Sequence, residues 1–416
     1  MRMRKMSRLG RGVLVASAAA VAAVVATTAS ATPRGHAASC PAFNSSALKP
    51  RTLPADLGGQ QVLFPPLSSL PSTSAALGTK QSLKPHWFTD LMAEVTPAVQ
   101  KQICAKHLSA VYLDWDSVPF NQAIRAGIKD VANALGISIK ISNYSFNPSG
   151  FAGNLAAVLP THPDIIMTGG AISPEQFGTI MNPAVKQGAT VTTWGLGAKT
   201  WNTGPGQPLK TLVAYDFYHL GTQLADAIHK AYPNGANFGY IHWVTDSLAI
   251  INREQGMLDG LKKYANIKIV TNGTPSPKNP SSGYTDFNAA EAYTVAFLKA
   301  HPTVNVLFAP WEDPPALGEA AAINALHLQN KVHIATMDLG SAGATQISHN
   351  GIISVDMAQD MYDGGRSMML SAALSEVGKK IYPYVIVPTT PATKANVQDA
   401  WDFMHGPSIP CGSACK

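Results

Sequence analysis

From about Leu108 to Met404 one unit recurs along the chain: a short apolar run, a turn, and then a stretch with helical spacing of apolar residues. Val111-Tyr112-Leu113 is followed by a turn at Pro119, a helix over Asn121–Leu135 that Gly136 ends, and a strand over Ile137–Ile141. Asp164–Met167, a helix over Pro183–Gln187 and a strand over Thr190–Thr193 repeat the unit. Further strands fall at Phe238–His242, Lys268–Val270, Val304–Phe308, Val332–Thr336 and Ile352–Val355. Helices at Leu220–Tyr232, Ile250–Tyr264, Ala289–His301, Ala316–Leu326 and Gly364–Leu374 lie between or after them. Apolar strands alternating with amphipathic helices predict parallel sheets covered on both faces. The expected fold is therefore α/β, with two doubly wound parallel sheets.

The two ends read differently. Met1 to Gly12 carries Arg2, Arg4, Lys5, Arg8 and Arg11 without an acid; Val13 to Ala26 is apolar, and Ala29-Ser30-Ala31 follows. This predicts an export signal over 1–31. The apolar run of 14 residues is short of the roughly 20 needed to span a membrane. Cutting after Ala31 lowers the formal charge from +6 to +1, too small a surplus for a nucleic-acid footprint, so no nucleic-acid partner is expected. Residues 32–106 form a Pro/Ser-rich extension of low order in its first part, with one helix around Trp87 to Ala105. Hydrophobic residues at 46% against 13% charged place the rest among folded chains.

Cys40, Cys104, Cys411 and Cys415 are the four cysteines, the last pair in a tail over 406–416. An even count in an exported chain favours disulfides. Cys411–Cys415 with Cys40–Cys104 is one of three possible pairings. Ala38-Ser39-Cys40 competes as a lipid-attachment site, although the large aliphatic residue usual three places earlier is missing. Neither Gly-x-Ser-x-Gly, His-Glu-x-x-His nor a Lys-bearing phosphate loop occurs. The 12 histidines are scattered, and His242 reads as structural. No enzyme, cofactor or metal is expected.

The order of motifs resembles the type I periplasmic binding proteins, in particular the ribose- and galactose-binding branch. Pro119-Phe120 before a helix ending at Gly136 resembles its opening unit, and Val213-Ala214-Tyr215-Asp216 with Gly221 resembles its crossover between domains. Asn252-Arg253-Glu254-Gln255-Gly256, the segment from Phe308 to Gly318, Met337-Asp338 and Val355-Asp356-Met357-Ala358-Gln359 are similar to its later signatures. The resemblance implies two doubly wound parallel-sheet domains joined by a three-segment hinge, the first over 107–215 plus 360–388 and the second over 216–359 plus 389–405. It implies a solute-binding component of an ABC importer that takes a sugar or related polar molecule. It also implies a monomer, partnered by a permease in the membrane and placed in the periplasm or on the outer membrane face. The family's repressors carry a DNA-binding motif where this chain has the signal.

Ligands of open α/β sheets sit beyond the carboxyl ends of the strands, and each candidate falls at such an end. Arg253 offers a fork of donors, Asp338 a carboxylate that accepts paired hydroxyls, and Gln359 both a donor and an acceptor. Phe120, Trp194 and Trp311 offer apolar faces. Asp216 and Glu312 complete the expected ligand set, with Asp313 as a helix cap and Tyr284 or Phe287 as a further wall. The chain departs from the branch in Glu312 where Asn is usual, in Trp194-Gly195-Leu196 where Asp-Arg is common, and in Phe217 after Asp216. These changes trade polar groups for aromatic area and leave the ligand open. A ligand-presenting sensor and a secreted hydrolase are the competing readings.

Overall fold

The computed structural model describes residues 40–416 apart from 44–45, 53–56, 58–76, 145–147, 170–172, 246, 285 and 287. The expected export signal and Phe287 lie outside the described residues. Among the described residues, no helix is long and apolar enough to cross a membrane.

Two sheets organise the chain. The first holds β1 (Pro85–Trp87), β2 (Ser109–Asp114), β3 (Ser138–Asn143), β4 (Ile165–Gly169), β5 (Thr190–Trp194), β6 (Leu209–Ala214) and β14 (Tyr384–Ile386) in the order β1-β14-β6-β5-β4-β2-β3. All its pairings are parallel. The second holds β7 (Ala236–Tyr240), β9 (Ile267–Val270), β11 (Val306–Phe308), β12 (His333–Met337), β13 (Ile353–Gln359) and β15 (Thr389–Ala392) in the order β15-β13-β12-β11-β7-β9. Only the β13–β15 pairing there is antiparallel. A small parallel pair, β8 (His242–Trp243) with β10 (Gly283–Tyr284), stands beside it. The chain passes between the two sheets three times, after Ala214, after Gln359 and after Ile386.

The helices follow from local signals. Of the first three, α1 (Phe88–Met92), α2 (Pro97–Cys104) and α3 (Pro119–Leu135), the last has Pro119 in its first turn, where a missing N–H costs nothing, and ends at Gly136 with φ 66°. Phe120, Ile124, Ile128, Val131 and Leu135 are buried along one stripe of α3. Burying each contributes on the order of 1.5–3 kcal/mol before ordering costs. Next come α4 (Pro148–Val158), α5 (Pro174–Lys186), α6 (Phe217–Ala231) and α7 (Leu248–Leu261). The remainder are α8 (Ala289–Ala300), α9 (Leu317–Ala325), α10 (Ser341–Ser348), α11 (Met361–Glu376) and α12 (Val397–His405).

In each half, glycine brings a helix pair close. In the first, α3 lies against α11, and a Cβ at Gly127 would sit 1.9 Å from the Tyr362 carbonyl oxygen. In the second, α6 lies against α7, and a Cβ at Gly256 would sit 2.0 Å from the Tyr218 carbonyl oxygen.

The N-terminal extension differs from expectation. Pro85–Trp87 adds an edge strand beside β14, a position that tolerates a leading proline. The single helix expected over Trp87 to Ala105 is two, because Thr96 caps a new helix whose first residue is Pro97. Cys40 is bonded to Cys104 and Cys411 to Cys415. A Cys40 sulfur in that bond is not free to carry a lipid thioether.

Candidate functional site

The carboxyl ends of β2 and β5 bring four aromatic rings together. Trp115 stacks on Trp194 at 5.4 Å between centroids, Phe120 approaches Trp194 at 5.0 Å, and Tyr215 lies 6.1 Å from Trp194 on the other side. All four are buried. Phe120 arrives on the first turn of α3, and Tyr215 directly follows β6, on the first passage between the sheets.

The second sheet answers with charge. Nη1 of Arg253, on α7, donates to both oxygens of Asp338 at 3.2 and 3.4 Å and reaches the Tyr215 hydroxyl at 3.5 Å. Nε2 of Gln359 donates to the Asp338 carboxylate at 2.9 Å. Asp338 follows β12 with φ 76°, a left-handed conformation uncommon outside glycine and found where surroundings hold a residue in place. Burial pushes the Asp338 carboxyl up, while Arg253 and Gln359 draw it back. Burial likewise works against charge on Arg253, but Asp338, Tyr215 and Glu254 together outweigh it and hold the guanidinium pKa up. The Arg253 guanidinium also lies 5.9 Å from the Trp311 ring, which in turn packs 4.6 Å from Trp243.

Three buried polar atoms here have no hydrogen-bond partner among the described residues: Arg253 Nε, Trp194 Nε1 and Gln359 Oε1. Two are donors and one is an acceptor. Native proteins leave few such atoms unpaired, and each calls for an explanation.

Of the eight expected residues, six (Phe120, Trp194, Arg253, Trp311, Asp338 and Gln359) form this connected group. The other two are engaged elsewhere. Asp216 accepts from the His219 backbone N–H at 2.7 Å and caps α6. The Glu312 carboxylate, buried, accepts from the Gly340 backbone N–H, which braces the Trp311 loop against the start of α10. Burial pushes the Glu312 carboxyl up, and burial together with the neighbouring Glu312 pushes Asp356 up.

Asp313, expected to cap a helix, has extended backbone (φ −110°, ψ 117°), and its carbonyl accepts from Trp311 Nε1 at 3.0 Å. Tyr284 is buried in the second half, edge-on to Tyr293 at 6.0 Å. His242 donates from Nε2 to the Asn279 carbonyl at 3.0 Å, and its Nδ1 lies 3.3 Å from Glu254, as suits a structural histidine.

Sequence reasoning missed Trp115, Tyr215 and Trp243. Each is an aromatic residue at or just beyond a strand's carboxyl end, the signal that had singled out Trp194. Among the described residues, no group of three or more His, Cys, Asp or Glu is placed to hold a metal.

Two wound parallel sheets, three passages between them and a polar cluster at their facing carboxyl ends define a two-domain binding fold. The family described as periplasmic binding protein domain matches residues 110–380, and the chain belongs to it. No curated protein matches. Among solved structures, an ABC transporter solute-binding protein from Agrobacterium vitis, bound with alpha-D-tagatopyranose, is similar at 18% identity and TM-score 0.62, with 72% of this chain and 99% of that one covered. A periplasmic solute-binding protein from Actinobacillus succinogenes with bound D-allose is similar at 17% identity and TM-score 0.58, covering 70% and 99%. AraP, an arabinose-binding protein from Geobacillus stearothermophilus, is similar at 17% and 0.59, covering 70% and 98%. At these identities the likeness is one of fold. The members compared are binding proteins rather than enzymes.

Proposed function

We propose that the chain is the exported solute-binding component of an ABC importer. In this reading it holds one sugar or sugar-like molecule between its halves and closes by bending at the three passages. The halves are 107–215 with 360–388, and 216–359 with 389–405; residues 1–31 are removed on export, and the protein acts as a monomer beside a membrane permease.

The observation that carries this reading is the set of unpartnered buried atoms, Arg253 Nε, Trp194 Nε1 and Gln359 Oε1. A hydroxyl both donates and accepts, so a polyol suits two donors and one acceptor better than an anion or a cation would. The neighbouring rings offer apolar area to the C–H face of a pyranose. Ligand groups come from both sheets, so neither half satisfies the ligand alone, and the ligand favours the closed arrangement. The sugars bound by solved structures of the same fold support the ligand class.

A thermal-shift screen with D-tagatose, D-allose, D-arabinose and D-fucose tests it. Binding to the native state alone raises stability by about 4 kcal/mol at a thousandfold excess over Kd, so one sugar should move the melting temperature by several degrees. No shift with any sugar, alongside a clear shift from an aromatic acid or a nucleoside, would replace the ligand class.

A further inference from the structure

Arg51 lies outside the residues that match the family, yet it touches the passage between the two sheets. Its Nη2 donates to Asp360 Oδ1 at 2.6 Å and its Nε to Asp363 Oδ2 at 3.2 Å. Both acids are fully buried in the first turn of α11, with Asp360 as its N-terminal cap. The same guanidinium donates through Nη1 to the Asp402 carbonyl at 2.8 Å and through Nη2 to the Phe403 carbonyl at 2.6 Å. Those carbonyls belong to the last turns of α12. Carboxylates at a helix N-terminus and carbonyls near a helix C-terminus both carry negative charge. Arg51 is the cation between them, and it lies 5.0 Å from the Tyr362 ring.

The two helices belong to different halves. α11 packs on β5 and β6 of the first sheet, while α12 packs on β13 and β15 of the second and also on α3 and α11 of the first half. Asp360 directly follows Gln359, whose amide holds Asp338, and its own backbone N–H donates to the Pro388 carbonyl on the third passage at 3.0 Å. The segment bearing Arg51 is tied to the first half. Cys40 is bonded to Cys104 at the end of α2, and Arg366 of α11 donates from Nε to the Ala47 carbonyl at 3.0 Å. Rotating one half against the other changes the separation of the Asp360–Asp363 turn from the Asp402 and Phe403 carbonyls. Arg51 adds one rigid guanidinium, with four hydrogen bonds, to the direct packing there.

We infer that Arg51 is a positioning residue for the hinge: by joining α11 to α12 it sets the resting angle between the two halves, and through Gln359 the placement of Asp338. This rests on the hinge reading of the proposed function but not on the identity of the ligand.

The test is the distance between spin labels in the ligand-free protein at Lys140→Cys and Lys268→Cys, exposed positions on β3 and β9. No free cysteine competes for the label among the described residues. Arg51→Met should broaden the distance distribution or move its mean by several ångström, and Arg51→Lys, which keeps the charge but not the fork, should fall between it and the wild type. Arg51→Met leaves Asp360 without its cation, so Arg51→Met/Asp360→Asn is measured alongside. That pair removes the bridge and the orphaned charge together, and Asn keeps the helix cap. A folded variant of either kind with the wild-type distribution overturns the inference. Adding D-tagatose or D-allose to the wild type reads the other claim separately: distances that never respond to sugar count against the proposed function, whatever Arg51 does.

Discussion

Gly221 and Arg253 approach so closely that a Cβ at position 221 would lie 1.9 Å from the Arg253 carbonyl oxygen and 2.5 Å from the Met257 nitrogen. The backbone that carries the site's cation is therefore placed by a glycine on the neighbouring helix. Gly221→Ala must push α7 away from α6. Added methylenes in a packed core cost about 1–3 kcal/mol, so urea denaturation should show a loss of that order. Calorimetry should show weaker ligand binding at a temperature where the variant is folded. An alanine variant with unchanged stability would mean that the helices do not meet this closely.

Glu319 predicts a pH dependence. It is fully buried, neither carboxyl oxygen has a hydrogen-bond partner among the described residues, and burial pushes its pKa well above 4.5. The unfolded chain gives up this proton from about pH 4.3, whereas the folded chain keeps it. Folded protein thus binds the extra proton, and stability falls as pH rises through the window between the two values. The slope from one such group is at most about 1.4 kcal/mol per pH unit. Denaturation curves of wild type and Glu319→Gln should converge near the acid end and separate toward neutrality, with the variant losing less. Parallel curves would show that Glu319 ionises in the fold.

The cysteine pairing makes two statements. Thiol titration of the denatured exported protein should find no free thiol, and one free thiol would place the Cys40 sulfur in another bond. The Cys40–Cys104 bond spans a sequence separation of 64. Replacing both residues by serine should cost about 2–4 kcal/mol, seen as a lower denaturation midpoint. An unchanged midpoint would show that the bond adds nothing to stability.

The alternation of apolar strands with helices was legible because strands buried on both faces must read as continuous apolar runs. What escaped was short or lay at an edge. β1 is three residues opening on Pro85, and β14 is also three residues, too few to show a period. In the candidate site, Arg253, Asp338 and Gln359, which strand-end chemistry singles out, are hydrogen-bonded together through Asp338. Asp216 was not separable from them, since a carboxylate between strand and helix serves a cap as well as a ligand. The engagement of Glu312 with the Gly340 backbone N–H is not visible in the sequence, because the two residues lie on different loops. Arg51 was invisible for the same reason: its role depends on acids and carbonyls more than 300 residues further on.

Titration calorimetry of the wild type and Arg253→Ala with the sugar that gives the largest thermal shift tests the central claim most directly. Wild type should bind one sugar per chain and saturate. Arg253→Ala, shown to be folded by its melting curve, should lose roughly 2–4 kcal/mol of binding free energy, as expected when a buried charged hydrogen bond is removed. Equal affinity in the two proteins would take Arg253 out of the site and contradict the placement of the ligand between the sheets.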